Sequence, residues 1–282
     1  MSGGFTLFPE LVNGQSAGYS TSQASSAGTL VQGGTGASNT KGSWVQLTSS
    51  TSSDATWMLV ELSNDNSAGI NCNNFLYDIG IGAAASEVVI ASNLHSAVFY
   101  GFSGETYLFP VCIPAGTRIA ARMQADFTAV NSGFCAVHLF DSAMAMPVEG
   151  AGLDDMGTNT GNSTLTSVTR GVSGTKGAYS QLTASTARDY AGLLVSVFCT
   201  EQSTNGAVYV ESIDIAVGGA GSEQIIIPDF AQYQLNSGLS MFVERRPYMT
   251  PIPAGTRISA RASTNKAAAA GSLSVAVHGI YT

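Results

Sequence analysis

An all-β fold, two tandem homologous jelly-roll or Greek-key β-sandwich domains, is predicted by three observations. The chain repeats itself once along its length. Strand-like segments recur every ten to fifteen residues, separated by Gly, Ser, Asn and Pro. No window carries the i, i+3, i+4, i+7 apolar pattern over a helical length. The Ala-rich stretch Ala267–Ala270 is too short to hold a helix alone.

The repeat is the firmest of the three, and self-similarity is worth seeking before motifs. Ile113-Pro-Ala-Gly-Thr-Arg-Ile119 recurs as Ile252-Pro-Ala-Gly-Thr-Arg-Ile258, an offset of 139, and continues with Ala121-Arg122 against Ala260-Arg261. Upstream, Thr40-Lys41-Gly42 matches Thr175-Lys176-Gly177, and Gln46-Leu47-Thr48 matches Gln181-Leu182-Thr183, at offset 135. Thr51 and Asp54 match Thr186 and Asp189 at that same offset. Asp78-Ile79 matches Asp214-Ile215 and Ser86-Glu87 matches Ser222-Glu223 at 136, and Ala136-Val137-His138 matches Ala276-Val277-His278 at 140. A slow upward drift is what collinear domains with small loop insertions produce. The expected domains are 1–145 and 146–282, with the segment 141–157, which carries Pro147, Gly150 and Gly152, read as a linker plus a first loop. Either domain is long enough to bury a core of its own.

Within the first domain the expected strands are Trp44–Thr48, Trp57–Leu62, Phe75–Ile81, Glu87–Ile90, Ala97–Phe102, Thr106–Val111, Arg118–Met123 and Phe134–Phe140. In the second they are Ala178–Leu182, Leu193–Phe198, Ala207–Val217, Gln224–Ile227, Ser240–Val243, Arg257–Arg261 and Leu273–Ile280. The identical segment reads as a turn entering a strand. Pro114 suits the first corner, and Gly116 falls where a type I turn prefers glycine. Arg118, Ala120 and Arg122 then alternate with Ile119, Ala121 and Met123. In the last strand Cys135, Val137 and Leu139 form the apolar face. If these two neighbouring strands pair as a hairpin, Arg118, Arg122 and His138 share one sheet face, as do Arg257, Arg261 and His278.

Composition narrows the function. Charged residues make up 11% of the chain, against roughly 25% in an average soluble domain, and the formal net charge is −8. There are three lysines, Lys41, Lys176 and Lys266, and no basic cluster beyond Arg245-Arg246, so the footprint of nucleic-acid binding is missing. No apolar run reaches the length of a membrane span, and the N-terminus lacks a basic-then-apolar leader, so no membrane insertion and no secretory signal are expected. Cys72, Cys112, Cys135 and Cys199 show no repeat-matched pairing or metal spacing, and are expected to be small buried thiols. No cofactor or metal is expected.

The arginine pairs Arg118/Arg122 and Arg257/Arg261 suit bidentate recognition of a carboxylate, phosphate or acidic sugar. The plainer expectation is cross-strand ion pairs with the matched carboxylates Asp78, Glu87, Asp214 and Glu223, or a salt bridge between subunits. His138 and His278 lack the neighbours of a metal site and read as polar sheet-face residues. The segments around Ser103 and Ser163 fail the nucleophile-elbow pattern. Asp65, Asp154 and Asp155 form no paired-carboxylate arrangement, and no catalytic residue is expected. Trp44, Trp57, Tyr77, Tyr190 and Tyr209 are the aromatic candidates for stacking on sugars, and Trp44 aligns with Tyr179.

Taken together, the Ile-Pro-Ala-Gly-Thr-Arg-Ile-Ala-Ala-Arg segments, in a chain rich in Ser, Thr, Gly and Ala and poor in lysine, resemble virion structural proteins of tailed bacteriophages. The resemblance is to jelly-roll head fibres, capsid decorations and tail-associated parts. It implies a non-enzymatic component of the virion, assembled in the host cytoplasm among other virion proteins as a homo-oligomer, a trimer or larger ring. The N-terminal apolar residues Phe5, Leu7, Phe8 and Leu11 would then dock on a neighbour or pair at a sheet edge of their own domain. The alternative on the same sandwiches is an adhesin module for a host-surface glycan or receptor.

Overall fold

In the computed structural model the chain is all-β, with no helix among the described residues. These are residues 11–18, 28–34, 37–65, 73–98, 104–126, 132–142, 151–172, 174–199, 209–234, 244–265 and 272–282. The first half contributes β1 (Leu11–Ala17), β2 (Thr29–Gln32), β3 (Val45–Thr48), β4 (Ala55–Asp65), β5 (Asn73–Ile81), β6 (Val88–Val98), β7 (Glu105–Ile113), β8 (Ile119–Ala125) and β9 (Ser132–Ser142). The second contributes β10 (Gly152–Met156), β11 (Thr158–Asn159), β12 (Thr164–Gly171), β13 (Ser180–Thr183), β14 (Gly192–Cys199), β15 (Tyr209–Val217), β16 (Gln224–Gln234), β17 (Glu244–Arg245), β18 (Ile258–Thr264) and β19 (Ser272–Tyr281).

Strand order is the same in both halves. In the first, β2-β9-β4-β7 form one sheet and β3-β8-β5-β6 the other, the two-sheet order of a jelly roll. In the second, β12-β19-β14 answers the first set and β13-β18-β15-β16 the second. Registers agree as well. Leu59 lies opposite His138 as Leu194 lies opposite His278. Met58↔Phe109 and Ala55↔Ile113 are matched by the isolated bridges Leu193↔Tyr248 and Tyr190↔Ile252. Alternation puts Cys135, Val137 and Leu139 in the first core, and Leu273, Val275 and Val277 in the second.

Several expectations are corrected. The strands holding Arg122 and His138 do not form a hairpin: β8 pairs with β3 and β5, whereas β9 pairs with β1, β2 and β4 in the opposite sheet. From β2 to β9 and from β12 to β19, apart from β5–β6 and β15–β16, this strand order sends consecutive strands to different sheets, so sequence proximity misleads. The expected strands Glu87–Ile90 and Ala97–Phe102 belong to one strand, β6, as far as it is described. Part of the expected linker, Gly152–Met156, is strand β10. The segments around the 145/146 boundary, Phe5 to Phe8, Ser240–Val243 and Ala267–Ala270 lie outside the described residues.

The identical turn begins one residue later than the Pro-Gly spacing predicts. Thr117 N–H donates to the Pro114 carbonyl, so Gly116 is the third residue of the turn, at φ 81°, with Gly255 at φ 79° in the copy. This left-handed position favours glycine. A Cβ at either site would meet nothing within 4 Å. Gly116→Ala should therefore cost about 1–2 kcal/mol, the left-handed penalty alone, and Gly255→Ala the same. Urea denaturation of the two variants checks the equality.

Candidate functional site: matched carboxylate hubs and a polar seam

Each half holds a buried aspartate that several elements share. Asp78 on β5 lies directly opposite Arg122 of β8. Its Oδ2 accepts from Arg122 Nε at 2.9 Å, and its Oδ1 accepts from Lys41 Nζ at 2.7 Å and from the Asn93 backbone N–H at 2.9 Å. Asn93 is the residue at which β6 bulges, with φ 51°. The second half repeats every contact. Asp214 accepts from Arg261 Nε at 2.8 Å, Lys176 Nζ at 2.8 Å and the Asp229 N–H at 3.0 Å, and Asp229 has φ 48°. Burial works to raise the Asp214 carboxyl, but the Asp229 N–H, Lys176 and Arg261 outweigh it and hold it below the usual range. Each aspartate thus clamps a bulge in β6 or β16 to a loop lysine and a β8 or β18 arginine.

Above each hub an arginine stacks on an aromatic ring. Arg122 lies 4.5 Å from the Trp44 centroid, and Arg261 lies 4.8 Å from that of Tyr179. Trp44 rests close to Gly80, which has room for no side chain beneath the indole. In the copy the smaller Tyr179 goes with Ala216 at the corresponding place.

The other matched arginines close the sheet end. Arg118 Nη1 reaches Glu87 at 2.8 Å and the Gly82 carbonyl at 3.1 Å, and its Nε donates to Gln46 at 3.1 Å. Arg257 does the same with Glu223 (3.1 Å), the Gly218 carbonyl (3.1 Å) and Gln181 (3.1 Å). All four arginines are therefore engaged by the chain's own acceptors.

The two histidines part company. His138 is half-exposed on the outer face of β9, with Ser16 Oγ at 2.8 Å and Glu61 at 3.3 Å. His278 lies on the matching outer face of β19 but is fully buried there. It belongs to a polar seam between the halves that sequence reasoning missed. There Arg245 pairs with Glu105, and its Nε donates to Ser196 Oγ at 3.0 Å. His278 Nε2 is 3.2 Å from that same Oγ, and the Tyr107 hydroxyl donates to the His95 carbonyl at 2.6 Å. His95 Nε2 is 3.0 Å from Asn74 Oδ1. Arg245 lies over the Tyr107 ring at 5.1 Å, and β17 runs parallel to β7 beside it.

Ser196 beside His278 has the outline of a nucleophile and base, but both are fully buried. Burial, with Arg245 adding to it, lowers His278 to about 4, and burial with Arg245 and His278 lowers His95 to about 3. Both imidazoles are neutral at pH 7. Burial raises Glu105 to about 7 against the pull of Arg245.

The sign of the pH dependence follows. The unfolded chain protonates a histidine below about pH 6.5 while folded His278 stays neutral, so stability is lost as pH falls from there toward 4. Glu105 opposes this between about pH 7 and its ordinary range. Wild type should lose about 2 kcal/mol more than His278→Gln between pH 7 and pH 4.5, read from urea midpoints at each pH.

The sugar-stacking candidates are mostly occupied. Trp57, Tyr77 and Tyr190 are buried, and Trp44 and Tyr179 carry arginines. The Tyr209 side chain lies outside the described residues. Cys112 is exposed, contrary to expectation, whereas Cys135 is a buried free thiol whose burial pushes it up. Cys72 and the Cys199 side chain are outside the described residues. Among the described residues no cluster of His, Cys, Asp or Glu is arranged to hold a metal, and no helix is long and apolar enough to cross a membrane.

By fold and contacts the chain is an all-β protein of jelly-roll strand order whose matched polar residues knit strands together. No family model and no curated protein matches it. Among solved structures it has a likeness to PNGF-II at TM-score 0.37 and 7% identity, covering 85% of this chain and 59% of that one. Others are tripeptidyl peptidase 2 (TM-score 0.25, 9% identity, 96% and 23% covered) and the CUB1-EGF-CUB2 region of human MASP-1/3 (0.18, 9%, 89% and 98%). The chain thus spans less than two thirds of the PNGF-II chain.

Proposed function

We propose that the chain is a non-enzymatic structural component of a bacteriophage virion, a head fibre, capsid decoration or tail-associated part, acting as an oligomeric module. The observation that carries this reading is the fate of the matched polar residues. Arg118, Arg122, Arg257 and Arg261 are all consumed in internal pairs with Glu87, Asp78, Glu223 and Asp214. Two copies of a fold kept for their shape have this pattern, and a low-charge surface of Ser, Thr, Gly and Ala accords with a packed assembly. The partners are other virion proteins and further copies of the chain, with the virion as location.

The test uses antiserum against the purified chain on gradient-purified phage particles from the strain that carries the gene. Label on intact particles is expected. Particles without label, together with saturable binding on a glycan array, would replace this reading with the adhesin alternative.

A further inference from the structure

The halves meet head to tail, and one set of the surfaces they use is left over. In the second half, the outer face of β14 and β19 presents Leu194, Ser196, His278 and Ile280, and the first half buries all four. The first half reaches them with β6 and β7. Ala91 of β6 bridges Leu153 of β10 in parallel, His95 packs on Phe198 at 5.2 Å, and Ala97 joins the cluster of Leu165, Phe198 and Ala276.

The first half has the same outer face; Trp57, Leu108 and Ala136 on it are buried, but among the described residues the positions that match the covered four stay partly open. Leu59, Glu61, His138 and Phe140 occupy the matching positions and are all partly exposed. Leu30 beside them is 45% exposed. The second half has the matching edge, with no further strand beside it among the described residues. β16 ends the larger sheet, Ala231 stands exposed where the first half has buried His95, and Ile225 is 43% exposed. Strand β1, the counterpart of β10, likewise ends its sheet. An end strand offers unpaired backbone groups to another chain.

From this we infer that a second copy of this chain covers the first-half face: its β16 edge docks beside β1, over Leu59 and Phe140, as β6 docks beside β10 within one chain. The contact joins two different surfaces, so it repeats from copy to copy and closes into a ring when the rotation allows. Pro228 on β16 fits an edge of this kind, since it takes a bulge position where the lost N–H breaks no internal ladder. The inference deepens the assembly part of the proposed function and does not need the particle. A ring that fails to associate with virions would sink the virion reading and leave this interface standing.

The experiment is light scattering on size-fractionated full-length chain, with circular dichroism to confirm folding. Leu59→Lys and Ala231→Arg change partly or fully exposed positions on the two surfaces. Wild type is expected to be oligomeric and each variant monomeric. Mixed in equal amounts, the variants should form heterodimers, because Leu59→Lys keeps its β16 edge and Ala231→Arg keeps its Leu59 face. A monomeric wild type, an oligomer that survives both changes, or a mixture that stays monomeric would overturn the inference.

Discussion

Asp78→Ala should lower the stability of the chain by about 3 kcal/mol, and Asp214→Ala by a similar amount. Either change removes one acceptor from three donors at once: a lysine ammonium, an arginine guanidinium and a bulge N–H. The cations are partly exposed, at 19% and 32% for Lys41 and Arg122, and water repays part of their loss. The bulge N–H loses its acceptor as well, and a donor left unsatisfied costs about 1–3 kcal/mol where water does not replace the carboxylate. Residues Asn93 and Asp229 hold left-handed backbone conformations, which are also fastened by Asn93 Nδ2 on Asp155 (3.0 Å) and by Ser212 Oγ on Asp229 (2.8 Å). Urea unfolding of both variants gives the comparison. Similar losses are expected from the three shared donors, with Asp214→Ala the milder because Lys176 keeps Asp229 as a partner at 3.1 Å.

The second large effect belongs to one half alone. Arg170 on β12 and Glu211 on β15 form an ion pair at 2.6 Å with both side chains essentially inaccessible. The first half has Gly33 and Phe75 at the corresponding positions, and Phe75 is buried in the core. Glu211→Ala should cost about 3–5 kcal/mol, since it removes the carboxylate that faces a buried guanidinium. Replacing both partners with apolar residues, as in Arg170→Met with Glu211→Phe, should recover most of that loss. A double-mutant cycle on unfolding free energies measures the coupling. A double variant as unstable as Glu211→Ala would mean that the pair contributes more than mutual neutralisation.

How much of this could be read from the sequence depends on what repetition preserves. The identical turn, Asp78 with Asp214 and the arginine pairs stood out because both copies need them to close the same bulge and the same sheet end. The sequence pattern splits β6 and cuts β16 short at Ile227, because Asn93 and Pro228-Asp229 interrupt the two-residue alternation at the bulge. Strands β1, β2 and β10 escaped because they are short and polar, as in Leu-Val-Asn-Gly-Gln-Ser-Ala. The seam was invisible for a deeper reason. Two copies meeting head to tail use different surfaces, so apart from His278, which matches His138, the polar seam residues differ from their counterparts: Ser196 stands at the place of Glu61, Tyr107 at that of Arg246 and His95 at that of Ala231. A search for sameness passes over them. Pairing in a jelly roll is also non-local, which is why the supposed Arg122–His138 hairpin face did not form.

Hydrogen–deuterium exchange of the peptides covering residues 88–98 and 224–234 addresses the carboxylate hubs most directly. Slow exchange at Asn93 and Asp229 is expected in wild type, with Asp78→Ala releasing the first alone and Asp214→Ala the second alone. Fast exchange at both amides in the unaltered chain, or no change in either variant, would contradict the assignment of these aspartates as the clamps of two equivalent sandwiches.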